Sequence, residues 1–156
     1  MGLASGKPKD SSLHIHPVLN TTSEFGVGDD QISHISSVAR KAMFKHQDQS
    51  DKRKYDSARW HSDIQFEPNP ADYTSLRLTQ LPATGGDTLW ASGYELYDRF
   101  SKPYQKFFES LTATFIGSGF IKAAEAAPEK VKIYTQERGS PNNVGGELSA
   151  VHPVVR

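Results

Sequence analysis

The stretch that decides the fold is residues 60–90, WHSDIQFEPNPADYTSLRLTQLPATGGDTLW. Residues 60–66 alternate in character, which is the pattern of a strand with two different faces. Two prolines end that strand, and residues 73–81 form a second, longer strand candidate. The run Thr84-Gly85-Gly86-Asp87 then supplies a tight turn. The stretch therefore predicts a β-rich domain.

His61 and Asp63 lie two residues apart within the first of these strands. On a strand, residues i and i+2 point to the same face, so both side chains can bind one ion. On a helix they would lie roughly 200° apart around the axis and could not. Imidazole and carboxylate, completed by a second histidine, form the facial triad that leaves positions open on iron(II). A hydrogen-bonded surface pair explains the two residues equally well, and the surrounding stretch favours the metal interpretation.

Three further histidines lie in apolar runs of the sequence. His14 and His16, within the predicted short strand 13–19, have the spacing of a second metal pair. We prefer the alternative in which one lines a pocket and the other faces solvent. His152 precedes a proline in the apolar run 151–156, which predicts another strand, and we expect it to be a packing residue.

Two helices are predicted between these strands. The first begins at about Tyr94, with Ser92 or Gly93 near its cap. Ser101 caps the second, with Pro103 close to its first turn. The second helix has large side chains at i, i+3, i+4 and i+7, which predict one buried face: Tyr104, Phe107, Phe108 and Leu111.

Composition limits the class of protein. A chain of 156 residues is enough for one domain. Lys plus Arg and Asp plus Glu each total 18, and this balance argues against nucleic-acid and membrane-surface partners. The absence of cysteine excludes disulfides, thiolate metal sites and a cysteine nucleophile. No apolar run approaches about 18 residues and no signal peptide is evident, so a cytoplasmic protein is expected.

Several ordered blocks of this sequence resemble one family. Residues 60–107, together with LHIHPV at 13–18 and AVHPVVR at 150–156, closely resemble the TauD/TfdA family of taurine dioxygenases, in particular its fungal-type members. The resemblance implies a mainly β fold with flanking helices (α+β), a double-stranded β-helix or cupin-like jelly roll. Residues 1–12 are then a mobile or truncated arm, and residues 13–156 a partial dioxygenase domain.

The resemblance also implies a site and its cofactors. His61 and Asp63 correspond to the first two ligands of iron(II), which works with 2-oxoglutarate and O2. Thr88 corresponds to the hydroxyl that hydrogen-bonds a carboxylate of 2-oxoglutarate. His16 corresponds to the residue that contacts the sulfonate of the substrate, and Ile64 to an apolar substrate contact.

The implied reaction hydroxylates the carbon next to a sulfonate, with 2-oxoglutarate converted to succinate and carbon dioxide; the product then releases sulfite. Two departures concern the substrate. Bacterial taurine-type members have Tyr where this chain has Leu19, and Asn where it has Ser57. Both changes remove groups that help hold taurine, so we expect a different small-molecule sulfonate. Assembly into a homo-oligomer is left open.

Length is the largest departure from the family pattern. In the family, a distal histidine ligand and the arginine that pairs with 2-oxoglutarate lie downstream of the HPVVR block, whereas this chain ends at Arg156. We therefore expect an incomplete jelly roll, a fragment that is inactive alone. The main alternative is a non-catalytic pseudoenzyme or interaction module on the same scaffold. A zinc hydrolase is weaker, because no nearby carboxylate is clearly placed as a general base.

Overall fold

A computed structural model describes residues 12–20, 31–36 and 60–156. In chain order its helices and strands are α1 (Gly93–Asp98), α2 (Lys102–Glu109), β1 (Thr112–Ile116), α3 (Ser118–Ala126) and β2 (Ser149–Pro153). The two strands pair antiparallel, from Thr112 opposite Pro153 to Ile116 opposite Ser149. This combination of helices and antiparallel strands agrees with an α+β class, and the jelly roll stays a prediction. The predicted arm lies outside the described residues except for Ser12, as does Ser57.

Helices α1 and α2 begin where local sequence signals placed them, whereas α3 was not predicted. The Ser92 side chain accepts a hydrogen bond from the Glu95 backbone N–H at 3.2 Å, which caps α1. Ser101 is the N-cap residue of α2, and Pro103 lies in its first turn, where a missing N–H costs no helical bond. None of the helices in the described ranges is long and apolar enough to cross a bilayer.

The predicted buried face of α2 is wrong in this structure. Tyr104 and Phe107 are 60% and 54% exposed, and the buried residue of the helix is Gln105. The ring of Phe108 lies 4.9 Å from that of Phe100 and 6.2 Å from that of Tyr104. The aromatic stripe thus packs partly on itself, which the periodic spacing alone does not reveal.

The strands predicted over residues 13–19, 60–66 and 73–81 are also wrong. Asp63 begins a turn in which the Glu67 N–H donates to the Ile64 carbonyl at 3.0 Å. Residues 73–81 are exposed and belong to no sheet of the described part of the chain. Alternation of side chains predicts a strand only when a neighbouring strand completes the hydrogen bonds.

The core is small and contains unusually many polar groups. β2 directs alternate side chains inward, Ala150 and His152 among them. Among the residues that the structure describes, the buried apolar side chains include Pro17, Val18, Phe66, Val131, Leu148 and Ala150. Beside them lie buried polar and charged side chains: Glu67, Gln105, Arg138, Ser140, Asn143 and His152. Except for Gln105, which donates to the Tyr97 carbonyl, these polar groups form hydrogen bonds with one another or with the chain just after the turn that follows Asp63.

Gly139 lies where two segments of this core meet. Its φ is +78°, and a Cβ there would stand 2.8 Å from both His14 Cα and the Leu13 carbonyl oxygen. Gly145 has a similar φ of +80° with nothing within 4 Å of its Cβ position, so it is a matched control. We expect Gly145→Ala to lower the free energy of unfolding by about 1 kcal/mol. Gly139→Ala should cost about 1–2 kcal/mol more, because backbone atoms must move.

Urea denaturation of both glycine variants measures this difference. Equal losses for Gly139→Ala and Gly145→Ala would show that residues 13–14 do not approach Gly139 as closely as described.

Candidate metal centre

The structure brings the two predicted metal ligands together. His61 Nε2 lies 3.3 Å from Asp63 Oδ1, and the two side chains are 72% and 52% exposed. Two ligand atoms each about 2.1 Å from a divalent ion, at right angles around it, are about 3.0 Å apart. The observed spacing therefore fits a shared ion, although Asp63 begins a turn rather than continuing a strand. Imidazole nitrogen and carboxylate oxygen are both donors that iron(II) accepts.

The two donors are a partial site. Within residues 12–20, 31–36 and 60–156, no three His, Asp or Glu side chains are grouped so that they could hold an ion. His61 and Asp63 thus fit as two of the three protein ligands of a facial triad.

Ile64, directly after Asp63, has a left-handed backbone with φ of 50°. This conformation costs about 1–2 kcal/mol for a residue with a Cβ, and a β-branched side chain adopts it rarely. Such backbone persists only where surrounding contacts hold it. The predicted substrate contact is thus also a strained point of the chain, and its substrate role stays a prediction.

His152 supports the turn from β2. Its Nε2 lies 3.0 Å from the Gln65 carbonyl oxygen and 2.9 Å from that of Glu67. Both carbonyls are acceptors, so Nε2 carries the proton and donates to them. The side chain is 9% exposed and its ring lies 5.8 Å from that of Phe115, which agrees with the expected packing role.

Glu67 and Arg138 form a buried ion pair behind the turn. Arg138 Nε donates to Glu67 Oε1 at 2.5 Å and Nη2 donates to Oε2 at 2.8 Å, while Nη1 donates to the Tyr134 and Gly145 carbonyls at 2.8 Å. His14 Nε2 lies 3.1 Å from Oε1. Burial by itself would raise the pKa of the Glu67 carboxyl, but the hydrogen bonds from Arg138 and His14 outweigh it and lower that pKa.

A pair of asparagines extends the same anchor. The Asn69 N–H donates to Asn143 Oδ1 and Asn143 Nδ2 donates to the Asn69 carbonyl, both at 2.9 Å. Asn69 Nδ2 also donates to Ser140 Oγ at 2.9 Å. Sequence reasoning missed this network, because its partners are 71 to 74 positions apart. The one local signal was a charged Glu67 placed between Phe66 and a proline.

The predicted substrate residue His16 is a half-buried neutral imidazole. Its Nδ1 accepts from the Val18 and Leu19 N–H groups at 3.1 and 2.9 Å, so the proton of the ring is on Nε2. Its ring packs edge-on against Phe66 and Phe120, with centroids 6.3 and 4.8 Å away. Burial lowers the pKa of His16 from 6.5 to about 4.

His14 does not face solvent, which corrects the preferred interpretation of the pair. Its side chain is 15% exposed and contacts the Glu67 carboxylate. The rings of His14 and His16 are nearly perpendicular, with centroids 6.4 Å apart. One ring nitrogen of each histidine forms a hydrogen bond inside the protein. That of His14 pairs with the Glu67 carboxylate, and that of His16 accepts from backbone N–H groups.

Thr88 lies in an exposed segment after the Gly85-Gly86 turn. Both glycines have left-handed φ, 76° and 78°, as a tight turn of this kind requires. The proposed contact of Thr88 with 2-oxoglutarate stays a prediction.

Comparison with known proteins defines the class. The taurine catabolism dioxygenase TauD, TfdA family matches residues 11–156, and the chain belongs to this family. The alpha-ketoglutarate-dependent dioxygenase oryG of Aspergillus oryzae is 43% identical over the whole chain, which covers 43% of that relative. The corresponding enzyme esdpJ of Penicillium shearii is 36% identical over the whole chain, which covers 49% of it.

A more distant relative carries a substrate class in its name. The putative alpha-ketoglutarate-dependent sulfonate dioxygenase of Schizosaccharomyces pombe is 34% identical over 62% of this chain and 22% of that relative. The chain spans less than half the length of each of these relatives. No solved structure shows a significant match. The Aspergillus oryzae and Penicillium shearii relatives, which match the whole chain, both carry the name of an alpha-ketoglutarate-dependent dioxygenase.

Proposed function

We propose that this chain carries the first two iron ligands of an Fe(II)/2-oxoglutarate-dependent dioxygenase that hydroxylates an alkyl sulfonate and releases sulfite, succinate and carbon dioxide. The observation that carries the proposal is the 3.3 Å approach of His61 Nε2 to Asp63 Oδ1 in a chain of the TauD, TfdA family. The proposal includes the double-stranded β-helix for the complete enzyme.

His61 and Asp63 would hold the iron through one imidazole nitrogen and one carboxylate oxygen. The bound metal, with 2-oxoglutarate and O2, supplies oxidative decarboxylation of the keto acid and oxidation of the substrate carbon. The negative charge of Asp63 partly offsets the charge of the cation, and the exposure of both side chains leaves room for a keto acid beside them. Thr88 would donate its hydroxyl proton to a carboxylate of that keto acid.

His16 would recognise the sulfonate by hydrogen bonding rather than by charge. Because Nδ1 accepts hydrogen bonds from backbone N–H groups, the neutral ring carries its proton on Nε2, which can act as a donor. Phe66 and Phe120 flank the ring and limit the access of water to it. The sulfonate class is supported by the names of relatives from Schizosaccharomyces pombe and Saccharomyces cerevisiae; the more similar fungal relatives are named only as alpha-ketoglutarate-dependent dioxygenases.

A second candidate is a non-catalytic module on the same scaffold. The observation that favours it is that the described residues group only two donors.

Anaerobic addition of iron(II) and 2-oxoglutarate tests the first candidate. We expect a visible charge-transfer band. We also expect His61→Ala and Asp63→Ala each to abolish it, because each substitution removes one of the protein ligands that would hold the iron. Asp98→Ala is the matched control, since it removes an exposed carboxylate on α1 and should leave the band unchanged.

The Aspergillus oryzae relative, treated in the same way, is the positive control. A band in that relative but not in this chain would show that the donors within these 156 residues do not hold iron(II) and 2-oxoglutarate by themselves. A band that survives both His61→Ala and Asp63→Ala would refute the ligand assignment. Where the band forms, release of sulfite from one member of a series of alkyl sulfonates would identify the substrate.

A further inference from the structure

The backbone that follows Asp63 is held by groups that are distant in sequence. His152 Nε2 donates to the carbonyls of Gln65 and Glu67, at 3.0 and 2.9 Å. Both oxygens of the Glu67 carboxylate accept hydrogen bonds from one edge of the Arg138 guanidinium, Nε to Oε1 and Nη2 to Oε2. The chain is therefore fixed two to four residues beyond the candidate ligand.

Between Asp63 and these fixed points lies Ile64, the residue with left-handed φ. Left-handed φ is energetically unfavourable for isoleucine, so contacts elsewhere must stabilise it. The Glu67 N–H bond to the Ile64 carbonyl closes the turn, and it forms only while Glu67 stays in place. Because φ of Ile64 sets the direction in which the chain leaves Asp63, the anchor at Glu67 also sets the angle between Asp63 and the rest of the domain.

The Arg138 side chain is well suited to hold Glu67 in place. Its Nη1 donates to the carbonyls of Tyr134 and Gly145, so these two carbonyls fix the orientation of the guanidinium independently of Glu67. Arg138 is 1% exposed and Glu67 0%, so the two-point contact is not exchanged with water. A lysine offers a point charge without this fixed fork.

We propose that Arg138 and Glu67 are positioning residues of the metal pair: by clamping the turn after Asp63 they keep Ile64 left-handed and so hold the Asp63 carboxylate next to His61. This inference rests on the proposed function, which makes His61 and Asp63 the metal ligands. Neither Arg138 nor Glu67 touches the ion.

The test titrates cobalt(II) alone into the 156-residue chain and follows the His61 ring by NMR, with His61→Ala identifying the signal. Substitution of groups that orient metal ligands weakens metal binding by about 10–100-fold. We expect Arg138→Lys to weaken cobalt binding at His61 by about tenfold. The measurement is made at a temperature where circular dichroism shows the variant folded. If Arg138→Lys does not fold, the double variant Glu67→Gln/Arg138→Met takes its place, because it leaves no unpaired buried charge.

A second readout needs no metal. The three-bond H–N–Cα–H coupling of Ile64 reports its φ, and we expect it to change in Arg138→Lys. Adding Ile64→Gly to that variant should restore part of the cobalt affinity, because glycine adopts positive φ without strain. A merely structural role would change the melting temperature but not produce this rescue.

The outcomes separate the two ideas. Unchanged cobalt affinity and unchanged Ile64 coupling in a folded variant would overturn the positioning role alone. If the parent chain binds no cobalt at His61, the ligand assignment fails, while the Ile64 coupling still shows whether the clamp holds the turn: an unchanged coupling rejects it and a changed coupling supports it.

Discussion

Glu67→Gln is expected to lower the free energy of unfolding by about 3–5 kcal/mol, because it leaves the Arg138 guanidinium buried without its counter-charge. The substitution keeps the shape of the side chain, so the loss reports charge rather than a cavity. Both partners are almost fully buried, and water cannot replace the missing carboxylate oxygen. Urea denaturation at neutral pH measures the change.

Glu109→Gln is the matched control for Glu67→Gln. Glu109 is an exposed carboxylate that accepts a hydrogen bond from the Tyr97 hydroxyl, and its loss should change stability by no more than about 0.5 kcal/mol. The double variant Glu67→Gln/Arg138→Met removes both charges. It should be more stable than Glu67→Gln alone or Arg138→Met alone, because each of these leaves one buried charge without its partner. Similar losses for Glu67→Gln and Glu109→Gln would contradict a buried pair.

The stabilising effect of the pair needs an ionised Glu67. Its pKa is lowered in the folded chain from the ordinary 4.5, since the hydrogen bonds from Arg138 and His14 outweigh burial. Below pH 4.5 the unfolded chain takes up a proton before the folded chain does. The contribution is therefore complete above pH 4.5 and is lost as the pH falls through the folded-state value.

Local signals in the sequence located α1, α2 and the last strand. Ser92 and the Ser101-Lys102-Pro103 run each act within one turn of the chain, so no distant partner is needed to interpret them. The apolar run at the end of the sequence contains most of β2, and the pattern of exposure along it alternates as expected.

The wrong predictions share a physical cause, which is dependence on long-range partners. Residues 60–66 alternate like a strand, yet Ile64 is left-handed because the Glu67 anchor, 71 positions from Arg138, bends the chain there. The apolar face of α2 has the periodicity of a buried stripe, but whether it is covered depends on what the rest of the chain brings to it.

The candidate site was predicted in part for the same reason. His61 and Asp63 stand close enough in sequence for their spacing to indicate a shared ion, and the structure brings them together. The strand on which that argument rested is absent from the described residues, and a turn achieves the same approach. Apart from the position of Glu67 between Phe66 and a proline, the sequence does not indicate the buried ion pair behind them, because its two members are 71 positions apart.

Stability of the chain is expected to fall by about 3 kcal/mol between pH 6.5 and pH 4 because of His16 alone. Burial, aided by the neighbouring charge of His14, lowers the pKa of His16 from 6.5 to about 4, against the opposing effect of Glu67. Between these pH values His16 is protonated in the unfolded chain but neutral in the folded chain. Lowering the pH therefore stabilises the unfolded state relative to the folded state. The contribution of His16 to the free energy of unfolding is complete above pH 6.5 and is lost as the pH falls towards 4. Denaturation curves across this range measure it.

His16→Asn is the control that isolates this effect. The Asn side-chain oxygen replaces Nδ1 as the acceptor for the Val18 and Leu19 N–H groups, but it binds no proton in this range. Its stability should stay flat from pH 6.5 to 4.5 apart from the other titrating groups, including Glu67, which both proteins share. The difference between the two curves gives the His16 contribution. A difference curve that does not change with pH would mean that His16 titrates normally in the folded chain, and the neutral donor assigned to it for sulfonate binding would be wrong.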